Sequence, residues 1–200
     1  MRPGVRVKDY GAADQVLLYS TMDTHTIVFI ATSLDGYIAD KDGNLDWLHA
    51  VPNPDNIDMG FVGLMEEVDA VVMGRTTIET VVGFGVDWPY SKPVFVLSST
   101  LDSIPEYLTK KVTLTAGSPR QVLSNINAMG YRKLYVDGGN TVQRFLHEDL
   151  IDELRITTVP ILLGGGYSLF GELDSPLEFE LLRTETFLGQ LVQRRYRRKR

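Results

Sequence analysis

The residues best able to do chemistry sit where strand-like runs stop. Lys133-Leu134-Tyr135-Val136-Asp137 is β-branched and aromatic, and it ends at Gly138-Gly139-Asn140-Thr141. A helical pattern starts at once, with Val142, Phe145 and Leu146 on its apolar face. Strand, glycine turn and helix together present free backbone N–H groups to an anion. Adjacent glycines let a ligand approach the backbone, because no Cβ intervenes. A plain tight turn gives the same signal, and more often. Asp69 to Met73 repeats the arrangement and breaks at Gly74-Arg75-Thr76-Thr77, adding a cation and two hydroxyls at a helix start. Arginine forks onto phosphate oxygens, so this turn suits a phosphate better than glycine alone. Pro93 to Leu97 is a third such run and ends in Ser98-Ser99.

Two carboxylates and one indole are the other candidates. Asp35 lies in a glycine-containing loop after the run Thr26 to Ala31. Asp58 borders a helical pattern formed by Ile57, Phe61, Leu64, Met65 and Val68, so it either points into a cleft or favours the helix N-terminus as a first-turn acid. Trp47 follows the turn-forming Asp40-Lys41-Asp42-Gly43-Asn44, where it is a lid over a pocket or, more ordinarily, packing.

These residues need a scaffold, and the patterning supplies one. Continuous apolar runs at Thr26–Ala31, Asp69–Met73, Pro93–Leu97 and Lys133–Val136 predict strands buried on both faces. Helical stretches alternate with them; Ser118 to Met129 opens on Ser-Pro and turns Val122, Leu123 and Ile126 inward. Phe179–Phe187 and Val192–Arg198 flank Leu188-Gly189-Gln190 as a hairpin. The fold class is therefore α/β, a central, mostly parallel sheet flanked by helices with an antiparallel C-terminal hairpin. Residues 1–22 lack periodicity and read as an N-terminal extension; 23–200 form one domain.

Composition narrows the function. No apolar stretch approaches the roughly 20 residues of a membrane span, and the polar start offers no secretory h-region, so the cytoplasm is the expected compartment. With no cysteine and three scattered histidines, disulfides and thiolate metal sites are excluded and no metal is expected. The net charge of −6 hides a basic end: the last seven residues hold six basic groups, while the body carries 14 bases against 26 acids. A final strand running into solvent explains that tail better than nucleic-acid binding, because an acidic body repels phosphates.

Five blocks in order carry a resemblance covering about Thr26 to Arg198. They are Ser33-Leu34-Asp35-Gly36-Tyr37-Ile38-Ala39, Asp69 through Thr77, Val96-Leu97-Ser98-Ser99, Val136-Asp137-Gly138-Gly139-Asn140-Thr141, and Leu150 to Leu154 running through Pro160 to Gly166. The chain resembles the dihydrofolate reductase superfamily, closest to the reductase (RibD C-terminal) domain of bacterial riboflavin biosynthesis proteins, in its stand-alone subgroup. The resemblance implies a dihydrofolate reductase-like fold and an NADPH-dependent reductase acting on a pyrimidine- or pterin-type substrate, similar to 5-amino-6-(5-phosphoribosylamino)uracil reductase. In that family Ala31 and Ile38 would bracket the nicotinamide. Gly74, Arg75, Thr76, Thr77, Ser98 and Ser99 would hold the 2′-phosphate end, and Gly138, Gly139, Asn140 and Thr141 the pyrophosphate. Asp35 and Asp58 would be the catalytic polar groups, with Asp58 and Trp47 on the substrate side. A two-fold dimer is also implied. The chain departs from the family in lacking the zinc-binding deaminase domain, in reading Asp-Gly-Gly for Glu-Gly-Gly, and in its loop from Val82 to Trp88. Dihydrofolate reductase activity, a non-catalytic nucleotide-binding module and a basic-tailed nucleic-acid binder are the alternatives.

Overall fold

A strand with apolar residues on both sides must be covered on both sides, and the central strands here are. The computed structural model describes residues 24–101 and 103–200; the N-terminal extension lies outside them. The strands are β1 (His25–Thr32), β2 (Tyr37–Ala39), β3 (Ala70–Gly74), β4 (Val94–Leu97), β5 (Val112–Thr115), β6 (Lys133–Asp137), β7 (Glu153–Thr158), β8 (Tyr167–Ser168), β9 (Phe179–Phe187) and β10 (Leu191–Arg198). The helices are α1 (Phe61–Glu67), α2 (Arg75–Gly83), α3 (Pro119–Ala128) and α4 (Gly139–His147).

Eight strands form one sheet in the order β5-β4-β3-β6-β1-β7-β10-β9. Neighbours from β5 through β7 are parallel, and the β9–β10 hairpin adds antiparallel to β7 through β10. Alternation sorts the side chains. Val28, Val72, Leu134 and Val136 face α3 and α4, meeting Val122, Ile126, Val142 and Phe145. Ile27, Val71, Met73, Val94 and Tyr135 face α1 and α2, meeting Leu64, Met65 and Ile78. Fully burying a side chain such as Phe145 contributes about 1.5–3 kcal/mol. Ser118 caps α3 in a reciprocal box with Gln121 and a proline in the first turn, as its sequence predicts.

Two local expectations change. The helix around Asp58 does not begin at Ile57: Asn56, Met59 and Gly60 take positive φ, so the chain turns there and α1 starts at Phe61. Tyr37–Ala39, read from sequence as loop, pairs with Tyr167–Ser168 in a separate two-stranded sheet. Gly166 permits that pairing, since a Cβ there would lie 2.1 Å from the Ala39 carbonyl oxygen.

The far end of the sheet is ionic. Glu153, 4% exposed, receives Arg195 at 2.8 Å, lies beside Arg155, and has His25 at 3.9 Å; Arg155 reaches Glu67 of α1 at 2.7 Å. The basic tail is part of this arrangement: Arg197 pairs with Glu180, Arg198 grips Asp149 at 2.7 Å, and Arg200 meets Asp152. Burial alone would raise the Glu153 carboxyl, but His25, Arg195 and Arg155 outweigh it and bring it from 4.5 down to about 2. A depressed carboxyl stabilises the fold fully above its unfolded value and loses that contribution as pH falls through the folded one. The stability gap between wild type and Glu153→Gln should therefore be largest above pH 4.5 and narrow steadily toward pH 2. Urea unfolding at several pH values measures the gap; a constant gap would contradict this role.

Candidate active site at the strand ends

Register decides what meets at the carboxyl ends of the parallel strands. Met73 pairs with Asp137 and Gly74 with Leu97, so the turns after β3, β4 and β6 lie side by side. Contacts across those turns are close. A Cβ on Gly138, whose φ is +86°, would sit 2.1 Å from Thr77 Oγ1. One on Gly74 would sit 2.8 Å from Thr141 Oγ1, and one on Gly139 would sit 2.6 Å from the Ile38 δ-methyl. The glycines are thus required by protein packing: their Cα faces are covered by Thr77, Thr141 and Ile38. What stays available is the row of N–H groups in the first turns of α2 and α4, since neither Gly74 nor Gly138 supplies a side-chain cap. Two uncapped helix N-termini converge there, and both dipoles favour an anion.

The cofactor candidates from the sequence mostly come together at this edge. Thr141 is buried and Asn140 exposed in the first turn of α4; Thr76 and Arg75 are exposed in the first turn of α2. Arg75 makes a 3.6 Å pair with Glu79 at the surface. Such pairs contribute little, so the guanidinium can turn to another anion at small cost. Ser98 follows Leu97, and its hydroxyl oxygen accepts from the N–H groups of Thr100 and Leu101, with Ser99 exposed beside it. Ala31 sits near the end of β1, packed in a cluster with Trp47, Val159 and Leu191. Trp47 is 7% exposed, and its buried Nε1 has no hydrogen-bond partner among the described residues.

The two carboxylates chosen from sequence are arranged differently from expectation. Asp35 is exposed; it accepts from Ser33 Oγ at 2.7 Å and from the N–H groups of Leu163 and Gly164. Those bonds, led by Ser33, hold its carboxyl down to about 2. Asp58 is exposed too, accepting from Val62 N at 2.7 Å and Gly60 N at 3.1 Å, and these bonds lower its carboxyl. A dry cleft would have raised both; hydrogen bonds to the ionised form win instead. Of the two sequence readings of Asp58, its contacts match the helix N-terminus.

The acid that burial does affect is Asp137, in the block Val136-Asp137-Gly138-Gly139-Asn140-Thr141. Burial raises its carboxyl, opposed by the nearby Tyr135 hydroxyl and by hydrogen bonds from Tyr90 and the Gly138 N–H that favour the ionised form. It lies on the α1–α2 face, beside an aromatic wall in which Phe29 meets Phe61 and Phe61 meets Tyr90, each at 6.2 Å, and Tyr90 meets Trp88 at 5.2 Å. The usable sequence signal was its place directly before the glycine pair. Two shallow hollows of about 360 and 400 Å³ lie around α3 and gather none of these residues.

The RibD C-terminal domain family model matches residues 24–192. The chain belongs to the RibD C-terminal domain family. Among its relatives, the uncharacterized protein YwjB of Bacillus subtilis (strain 168) is 35% identical over 177 residues, covering 88% of this chain and 98% of that protein. A solved structure from Shewanella sp. PV-4, provisionally described as a riboflavin biosynthesis protein, is 58% identical with a TM-score of 0.86, covering 88% of this chain and all of that one. Dihydrofolate reductase from Enterococcus faecalis, complexed with NADP(H), shares the fold at 19% identity and a TM-score of 0.62, covering 90% and 98%. The fold is thus dihydrofolate reductase-like, and no helix among the described residues is long and apolar enough to cross a membrane.

Asp58→Ala tests the cap. Losing a carboxylate that serves two N–H groups at a helix start should cost about 0.5–1 kcal/mol, the low end for an exposed cap. Thermal unfolding reads that loss, and an unchanged midpoint would contradict the capping role.

Proposed function

We propose that this chain is an NADPH-dependent reductase acting on a C=N or C=O carbon of a pyrimidine- or pterin-type heterocycle. The observation that carries the reading is the convergence of the uncapped N-termini of α2 and α4, with Gly74, Gly138 and Gly139 at closest approach. The residues fit a dinucleotide. First-turn N–H groups of Gly139, Asn140 and Thr141 would hold the pyrophosphate, and Arg75 with Thr76, Thr77, Ser98 and Ser99 the 2′-phosphate. The NADP(H) complex of a protein with the same fold supports that choice.

Ala31 and Ile38 would bracket the nicotinamide, with Ile38 seated against Gly139 and Ala31 against the Trp47 cluster. When bound, NADPH would supply the hydride. The chain's own task is to hold a flat acceptor in place, exclude water and provide a proton. Phe29, Phe61 and Tyr90 offer an aromatic wall for the ring. Trp47 Nε1 is a buried donor that a ligand acceptor could satisfy. Asp137, with its proton affinity raised by burial, is the proton-handling group in place of Asp35 and Asp58, whose carboxylates are held ionised.

Loss of NADPH absorbance, screened against dihydrofolate, ribosylaminopyrimidines and small carbonyl compounds, tests the activity; no turnover with any heterocycle would count against it. Arg75→Ala tests the cofactor end. A lost charge-assisted bond should weaken NADPH binding by roughly 1.5–3 kcal/mol and leave NADH nearly unchanged. Calorimetry with both cofactors decides, and equal weakening of the two would overturn the assignment.

A further inference from the structure

Tyr90 lies in the stretch between α2 and β4, and its hydroxyl reaches Asp137 at the end of β6. The residue is 8% exposed, and its oxygen lies 3.1 Å from Asp137 Oδ2. The other carboxyl oxygen, Oδ1, accepts from Gly138 N at 2.8 Å. Asp137 is therefore gripped from two sides, by the backbone of the glycine turn and by a side chain 47 residues away in sequence. Tyr135, on the same strand, also approaches the carboxyl, but its hydroxyl donates to the Phe29 carbonyl at 2.9 Å. Phe61 and Trp88, which meet Tyr90, and Phe29, which meets Phe61, carry no charge, and among the described residues the two tyrosines and the Gly138 N–H are the polar groups acting on this acid.

The ring of Tyr90 is held as firmly as its hydroxyl. Trp88 meets it edge-on at 5.2 Å and Phe61 at 6.2 Å, and both belong to the same apolar face as Ile78 and Val81 of α2. A hydroxyl on a fixed ring is a directional donor, which a solvent-exposed side chain could not be.

We propose that Tyr90 is a positioning residue: it fixes the Asp137 carboxyl at the junction of the glycine turn and the aromatic wall, and it stabilises the carboxylate left when a bound heterocycle takes the proton. The inference rests on the reading of Asp137 as the proton-handling group. In that step the Asp137 O–H bond breaks, the proton goes to the acceptor's nitrogen or oxygen, and the electron pair stays on Asp137. Tyr90 O–H and Gly138 N–H remain as donors to the new anion. Solvent then returns the proton.

The test is NMR of the full chain labelled with aspartate 13Cγ, the Asp137 signal being assigned by its loss in Asp137→Asn. In wild type this signal should titrate above the ordinary carboxyl range. In Tyr90→Phe, which keeps the ring but removes the donor to the ionised form, the midpoint should rise by about one pH unit. Replacing Tyr90 with 3-fluorotyrosine, a stronger donor of nearly the same shape, should move it the opposite way, so the result does not hang on one variant. The pH profile of turnover with whichever acceptor the screen yields should shift in step. An Asp137 midpoint that stays put in both folded variants overturns the positioning role. Unchanged turnover in Asp137→Asn, with the midpoint shifts intact, would instead overturn the proton-handling reading beneath it.

Discussion

The structure depends on the contact between two turns that leave no room for a side chain. Gly138 packs so tightly on Thr77 that a Cβ would overlap the hydroxyl, and Gly74 meets Thr141 in the reciprocal sense. Each turn supplies the threonine that fills the other's missing Cβ. That reciprocity fixes how far apart the first turns of α2 and α4 stand, and so where their unpaired N–H groups point. The strand register feeds into it: with Met73 opposite Asp137, the two turns cannot slide without unpairing β3 from β6. The phosphate site proposed for these turns would be preorganised by that packing.

Polar groups elsewhere are divided between structure and chemistry by what surrounds them. At the end of the sheet away from the glycine turns, the buried Glu153 and Arg155 pair with each other and with the partly exposed Arg195 and Glu67, locking β7, β10 and α1 together. Removing Glu153 would leave Arg195 without its partner in this group and cost Arg155 one of its two, and most of the cost of such a change arises there. The arginines of the C-terminus extend the same pattern over Asp149, Asp152 and Glu180. At the opposite end, Asp137 has no cationic partner among the described residues and keeps its proton more tightly because burial is not offset by charge. One sheet thus holds a carboxylate forced to ionise and a carboxyl discouraged from doing so.

Much of this was legible in the sequence, because buried parallel strands announce themselves as unbroken apolar runs and glycine turns as their abrupt ends. β1, β3, β4, β6, α3 and the C-terminal hairpin follow from that pattern alone. So does the grouping of Gly74–Thr77, Ser98 and Gly138–Thr141 at one edge. The failures have local causes. Ile57 and Phe61 have helical spacing, yet positive φ at Asn56, Met59 and Gly60 breaks the helix before it can include Asp58, and spacing does not report backbone sign. Tyr37–Ala39 is a strand only because Tyr167–Ser168 arrives from far along the chain. Asp137 and Tyr90 become a pair through tertiary packing, and nothing within either segment points to the other.

The central claim, that the paired N-termini of α2 and α4 form the cofactor's phosphate site, is tested most directly by an NMR titration of 15N-labelled protein with NADP+. Saturable shifts concentrated at the amides of Gly139, Asn140 and Thr141 and of Arg75 to Thr77, with little change at Asp58 or along β9, are the predicted result. Binding that leaves those amides unmoved while shifting a different surface would contradict it.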